Sequence, residues 1–334
     1  MNNNSIAKKL ISSNEMIVVF IIIGLSILIG CVNSAFFSAA TVIDTGRSML
    51  VMLIFALCEM IVIISGGIDV SFPAFASFTM YFTTKFMLDH GLDSALLAFA
   101  MAAGIGTLLG LINAVLIGTF KIPTLIATLG TSSLINGGLL AFVGVNEITN
   151  LPTNMDALAK IFLFSVKNSQ GVASAMSIMI MIPIALCVII YFLLKYTMLG
   201  RSIKAIGGDI NAAQRVGFNV VRTQYFIYMF VGAIVGIAGI TYTILMRNSN
   251  PVNLMGSEMM VIAAVVIGGA RITGGHGTVA GTILGVLLIN LVTNNLIMLG
   301  VPTYWQAFVV GMLIIVGTCI TSLRAKKIEL SPKI

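Results

Sequence analysis

The chain has 334 residues, of which 58% are hydrophobic and 9% charged, and 18 Lys and Arg against 11 Asp and Glu leave a net charge of +7. Soluble domains carry about 25% charged residues, so a water-exposed globule of this size is excluded. The basic excess sits in short polar segments between apolar runs, which marks membrane topology rather than a nucleic-acid partner.

A helix needs about 20 apolar residues to cross the hydrocarbon core, and its backbone groups must bond within the segment. Ten such helices are predicted, near 16–33, 48–65, 71–88, 94–118, 122–144, 176–194, 224–245, 257–269, 278–298 and 304–322. The expected fold is an all-α polytopic membrane protein, with a spanning region at 16–322 between cytoplasmic tails at 1–15 and 323–334. Lys8 and Lys9 precede the first apolar run as in a signal peptide. That run is longer than a usual signal core and no A-x-A site follows, so an uncleaved first span is expected. A cytoplasmic N-terminus places thirteen of the 18 basic residues inside and five outside. This is the distribution of a multi-pass protein of the bacterial inner membrane with both termini inside. Tyr304 and Trp305 then fall at the outer face, where amphipathic rings collect.

Small residues recur at spacings of four: Gly106, Gly110, Ala114 and Gly118, then Gly232 and Gly236, then Gly277, Gly281 and Gly285. This spacing puts them on one helix face and predicts close helix packing. Cys31, Cys58, Cys187 and Cys319 lie in or beside apolar runs without a CxxC pair, and His90 and His276 are far apart. Packing cysteines are expected, with no metal site.

Among polar residues, Glu59 stands alone in the second span. A carboxyl at that depth costs about 2.5 kcal/mol or more if it faces lipid, so it should face the bundle and bond a polar neighbour. A solute contact is the alternative. Ser65-Gly66-Gly67-Ile68-Asp69-Val70-Ser71-Phe72-Pro73 then breaks the pattern. Paired glycines end one helix, Pro73 suits the first turn of the next, and Asp69 and Ser71 can bond freed backbone groups. Broken helices at membrane depth face protein or a wet cavity, and transporters build sites from them. A tight turn capped by Asp69 is the plainer reading. Asn113 is expected to bond a neighbouring helix.

The polar segment 147–170 is assigned to the outside and 195–223 to the inside. In the second, Gly207 and Gly208 are read as ending any preceding helix, Asp209 as an N-cap, Ile210 to Val216 as a short helix and Gly217 as its C′ residue. So short a helix is unstable alone and should pack on its own chain or a partner. Further on, Val261 to Ile267 is a short apolar run followed by a glycine-rich turn from Gly268 to Gly277. No GxxxxGK[ST] occurs in the chain, so any ATP-driven role needs a separate subunit. In the ninth span Asn290 and Asn294 share a face. They suit either a hydroxyl-rich neutral solute or a helix contact, with the solute path the expectation here.

Gly66-Gly67-Ile68-Asp69-Val70-Ser71, Gly200 to Asp209, and Ile262-Ala263-Ala264-Val265-Val266-Ile267-Gly268-Gly269 resemble, in that order, the motifs of ribose/xylose/arabinose-type ABC importer permeases. The resemblance covers about residues 48 to 322. It departs at Asp209, where Asn is usual, and at Phe72-Pro73, which replace a Val-Gly pair. It implies a second permease chain, two cytoplasmic ATPases that hold ATP and Mg, and an external solute-binding protein. This chain would hold no cofactor and would not be an enzyme. Gly200, Arg201, Gly207, Gly208, Asp209, Ala213, Arg215 and Gly217 would belong to the segment that docks the ATPase. Glu59, Asp69, Ser71, Asn290 and Asn294 are the candidates for the path. The expected solute is a sugar or sugar-like molecule. Permeases for branched-chain amino acids or nucleosides share the architecture. An ion-coupled transporter would have only Glu59, Asp69 and Glu258 to work with.

Overall fold

The computed structural model describes residues 14–167, 173–295 and scattered positions between 302 and 315. Residues 1–13 of the expected N-terminal tail, the expected C-terminal tail, Tyr304, Cys319 and most of the tenth span lie outside these residues, while Asn14 and Glu15 begin the first helix. Trp305 lies within them and is 46% exposed.

Helix α1 (Asn14–Val32) leads through a 3-10 turn into α2 (Ala39–Ser48) and α3 (Leu50–Ile64), which meet at a bend of 46°. Then come α4 (Phe72–Asp89), α5 (Ala95–Ala114) with a π turn to Thr119, and α6 (Thr124–Gly138) with a π turn to Val143. A polar excursion holds α7 (Thr153–Ala159), β1 (Phe162–Lys167) and β2 (Ala173–Ser177). The chain re-enters the bundle as α8 (Met181–Tyr196) and turns through α9 (Met198–Gly208) and α10 (Ile210–Arg215). Next come α11 (Val220–Met246), α12 (Glu258–Ile267) and α13 (Val279–Asn295).

Among the described residues, five helices are long and apolar enough to cross a membrane: α1, α8, α11, and α5 and α6 with their π turns. The bent pair α2–α3 passes the same test as one broken span. These helices show apolar side chains outward, such as Leu28 at 65% and Phe142 at 90% exposure. Helix α4 is 18 residues long, yet Ser77, Thr79, Thr83 and Thr84 on it are fully buried. It is enclosed by protein, as is α3, where Ile54, Leu57 and Ile61 have no exposure.

The small-residue stripes are packing faces. A Cβ added at Gly106 would lie 2.1 Å from the Gly232 carbonyl oxygen, and one at Gly110 would lie 2.2 Å from that of Tyr228. The stripes of α5 and α11 close directly on each other. Gly281 and Gly285 of α13 meet the carbonyls of Gly268 and Ala264 in the same way. Without a hydrophobic drive between helices in lipid, such backbone approach supplies the packing energy. Of the described cysteines Cys58 is buried, Cys187 half-buried and Cys31 exposed, so the packing role holds best for Cys58.

Three features correct the expected outline. The chain is not all-α: β1 and β2 pair antiparallel in the polar excursion. Phe162-Leu163-Phe164-Ser165-Val166 has strand character, rich in aromatic and β-branched residues. The span predicted from 176 takes in the last two residues of β2, Met176 and Ser177. Second, α9 runs through Gly207 and Gly208, so these glycines end the helix from within it. Third, α2 is a separate amphipathic helix. Strand β2 rests against it, and Ser174 Oγ donates to Asp44 Oδ2 at 2.9 Å.

The polar excursion is strapped to the end of α11. Ile148 and Ser249 exchange backbone hydrogen bonds of 2.9 Å. Asp156 accepts from Arg247 Nε and Nη2 at 2.9 and 2.6 Å, and Lys160 Nζ lies 2.6 Å from its other oxygen. Hydrogen bonds from Lys160 and Arg247 hold the Asp156 carboxyl below its ordinary value of 3.8. A carboxyl depressed in the folded state stabilises above its ordinary value, and that contribution is lost as pH falls through the folded value. Thermal melting of the detergent-solubilised protein should therefore fall more steeply below about pH 4 for the parent than for Asp156→Asn. Parallel curves would remove the strap from the stability of the fold.

Candidate functional site

The three motif segments converge at one end of the bundle. Gly275 N donates to the Ile64 carbonyl at 2.8 Å, which joins the glycine-rich turn after α12 to the end of α3. Gly207 of α9 wedges into that contact: an added Cβ would lie 1.8 Å from Ile64 O and 2.6 Å from Gly275 N. Gly274 and Gly275 take φ values of +91° and +77°, a region that favours glycine. Gly200 is pressed against the Leu193 carbonyl of α8, and Ser202 Oγ shares a 2.7 Å hydrogen bond with Thr223 of α11. Helix α9 is thereby fixed to α3, α8, α11 and the turn.

Helix α10 hangs from this junction. Asp209 Oδ1 accepts from Asn211 N at 2.8 Å and Ala212 N at 3.0 Å, and Gly217 leaves the helix with φ +90°. Both roles match the sequence expectation. Ala213 is buried between Ile206 and Val220, while every other residue from Gly208 to Gly217 is exposed. Ile210 and Val216 are 46% and 72% exposed beside the exposed Arg201 and Arg215. This short helix thus turns two apolar side chains to solvent with basic residues on the same surface. Beside it lies a cleft of 550 Å³, lined among others by Gly66, Lys121, Thr124, Asn211 and Gln214.

Glu59, Asp69 and Ser71 lie just inside, with at most 2% exposure. Between α3 and α4 the amides of Ser65, Gly66 and Gly67 still bond α3 carbonyls, but those of Ile68 to Ser71 find no backbone partner. Side chains take their place. Ile68 N donates to Thr124 Oγ1, Asp69 N to Glu59 Oε1 and Val70 N to Thr128 Oγ1, each at 3.2 Å. Ser71 N and Oγ donate to Asp69 Oδ1 at 2.7 and 2.6 Å. Asn113 Nδ2 donates to Ser71 Oγ, and Thr131 Oγ1 to Asn113 Oδ1, both at 2.8 Å. Asp69 therefore anchors the segment two residues ahead of the helix cap. Asn113 bonds its neighbours, as expected. Thr124, Thr128 and Thr131 were missed, although their spacing of four and three marks one polar face on α6.

This network explains the carboxyl of Glu59 as an acceptor for a backbone amide. Glu59→Gln keeps that acceptor and should keep import and melting temperature close to the parent. Glu59→Leu leaves the Asp69 amide unpaired and should destabilise by about 1–3 kcal/mol. Loss of import in a fully stable Glu59→Gln protein would show that the charge itself matters.

At the opposite end Asn290 and Asn294 do share a face, and they bond α13 to α2. Asn290 Nδ2 donates to Thr45 O and Ser48 Oγ, each at 3.0 Å. Asn294 Nδ2 donates to Ser48 Oγ at 2.8 Å and to Asn290 Oδ1 at 2.9 Å. The two sets of path candidates are thus far apart, and the Glu59 set is enclosed by its own chain.

The protein family described as branched-chain amino acid transport system / permease component matches residues 42–317. The fructose import permease protein of Bifidobacterium longum is 32% identical over 267 residues, 79% of this chain and 77% of that protein. The ribose import permease protein of Haemophilus influenzae is 30% identical over 95% of this chain and 94% of its own. The autoinducer 2 import system permease protein of Yersinia enterocolitica is 30% identical over 88% of this chain and 78% of its own. No solved structure matches significantly. The match runs through all three converging motifs, and the chain belongs to the family of ABC-importer permease components, among the ribose-type members that its motifs resemble.

Proposed function

We propose that this chain is the membrane-spanning subunit of an ABC importer for a monosaccharide or a close analogue. A second permease chain, two ATPases and an external binding protein complete the assembly. The α9–α10 end faces the cytoplasm and the β1–β2 end faces outside, an orientation that the inside bias of Lys and Arg supports. The observation that carries the reading is α10, a capped helix with one buried residue and exposed Ile210 and Val216, fixed to the ends of the spans. ATPase movement transmitted to α10 would pass through Gly207 to α3, which crosses the bundle toward α2. A sugar as solute is supported by relatives named for fructose and ribose import. The family description supports a second reading, a branched-chain amino acid as solute.

The test is reconstitution of the chain with its ATPases and binding protein in proteoliposomes. ATP-dependent uptake of ribose or fructose, with no uptake of leucine, is the expected result. Uptake of leucine alone would favour the second reading. Uptake driven by a sodium or proton gradient without ATPases would overturn both.

A further inference from the structure

We propose that strand β1 lies on the bilayer surface, with Ile161, Phe162, Leu163 and Phe164 in the lipid headgroup layer. In the orientation given above this is the outer leaflet. The inference needs only the membrane-spanning reading and holds whatever the solute. The four side chains are 46, 46, 46 and 54% exposed. Contiguous exposed apolar surface of this kind marks a contact with lipid or with protein. The chain itself leaves the strand uncovered. Strand β2 packs on α2, and its Ser174, Met176 and Ser177 are buried, whereas β1 is exposed at five of its six positions. The register slips between Phe162 and Phe164. The slip breaks strict alternation, so neighbouring apolar side chains turn outward together.

The register also fixes the level of the run. Ile178 N donates to Ile161 O at 3.1 Å, and Ile178 is the first residue of the apolar span that contains α8. Phe162 pairs with Ser177, and Phe164 with Met176. The run therefore lies no farther than about 7 Å of strand from the first residue of the span. The headgroup layer on each side of the hydrocarbon is about 5–8 Å deep. Met181 and Ile184, 52 and 48% exposed, continue the outward apolar surface into α8. Lipid is thus the neighbour that the position selects. Depth is limited by the backbone. Among the described residues β2 is the only strand beside β1, so the other edge of β1 has no ladder partner. In hydrocarbon those amides and carbonyls would be unpaired, while headgroups and water serve them. Aromatic rings collect in that layer. The exposed Lys167 follows the run, and lipid phosphate is its complementary charge.

The test reads depth by fluorescence. Trp305 is the only tryptophan of the chain, so Phe162→Trp and Phe164→Trp are each made with Trp305→Phe. The full chain is reconstituted in vesicles of phosphatidylethanolamine and phosphatidylglycerol. Both emissions should shift to the blue. Phospholipid brominated near the headgroup end of its acyl chains should quench most of each emission, and phospholipid brominated near the chain ends far less. Acrylamide in the water should quench both more weakly than it quenches free tryptophan amide. Should Phe164→Trp fail to reconstitute, Phe162→Trp carries the test. Full quenching by acrylamide with no effect of brominated lipid overturns the proposal and leaves the run as a surface for a protein partner. Insensitivity to both quenchers overturns it in favour of a contact between chains. Stronger quenching from the chain ends overturns the headgroup placement. None of these outcomes bears on the importer reading, which the uptake assay tests separately.

Discussion

Ala213→Pro should abolish import and solute-stimulated ATP hydrolysis while the chain still inserts. Ala213 N donates to Asp209 O at 2.9 Å in the middle of α10. Proline removes that donor and its ring collides with the preceding turn, at about 3 kcal/mol. A helix of six residues has no reserve against such a loss. Ala213 is also the one buried side chain of α10, packed against Ile206 and Val220. Its removal frees the helix from the junction as well as unwinding it. The spans hold their own contacts, so membrane insertion and yield should stay near the parent. Normal ATP hydrolysis and import by the assembled mutant complex would show that α10 does not couple the ATPase to the spans.

Gly207→Ala should be nearly as damaging, and Gly208→Ala nearly silent. The two positions are adjacent and both close α9, so helix propensity alone predicts the same small gain for each, up to about 1 kcal/mol. Space separates them. An added Cβ at Gly207 would lie 1.8 Å from the Ile64 carbonyl oxygen, whereas at Gly208 nothing lies within 4 Å. The obstacle at Gly207 is backbone, which cannot swing aside like a side chain. The Gly275–Ile64 hydrogen bond must open or α9 must shift. Overpacking of this kind costs about 1–3 kcal/mol. The observable is a lower melting temperature of the purified complex together with lost import for Gly207→Ala, against parent-like values for Gly208→Ala. Equal behaviour of the two variants would mean that α9 moves freely over the end of α3. The Gly207 wedge would then not transmit movement.

The sequence by itself determined the membrane class, nine of the helices to within a few residues and the small-residue stripes. These follow from composition and period, and both are local properties that lipid enforces because it offers no other hydrogen-bond partner. It also determined the cap at Asp209 and the exit at Gly217, since capping needs only a short side chain and a permissive φ. The tertiary structure decided what polar residues inside the bundle do. Asp69 reads as path or cap with equal ease, and Glu59 as a bundle-facing group whose partner is unnamed, because a buried carboxyl is required to find a donor and sequence does not say which. The fold supplies the amides of Ile68 to Val70, and threonines of α6 complete the set. Asn290 and Asn294 were legible as one face of a helix, but their partners Thr45 and Ser48 lie more than two hundred residues away in the chain. Gly207 shows the difference most sharply. As sequence it is one of two helix-ending glycines. Only the approach of Ile64 and Gly275 makes its missing Cβ a condition of the fold.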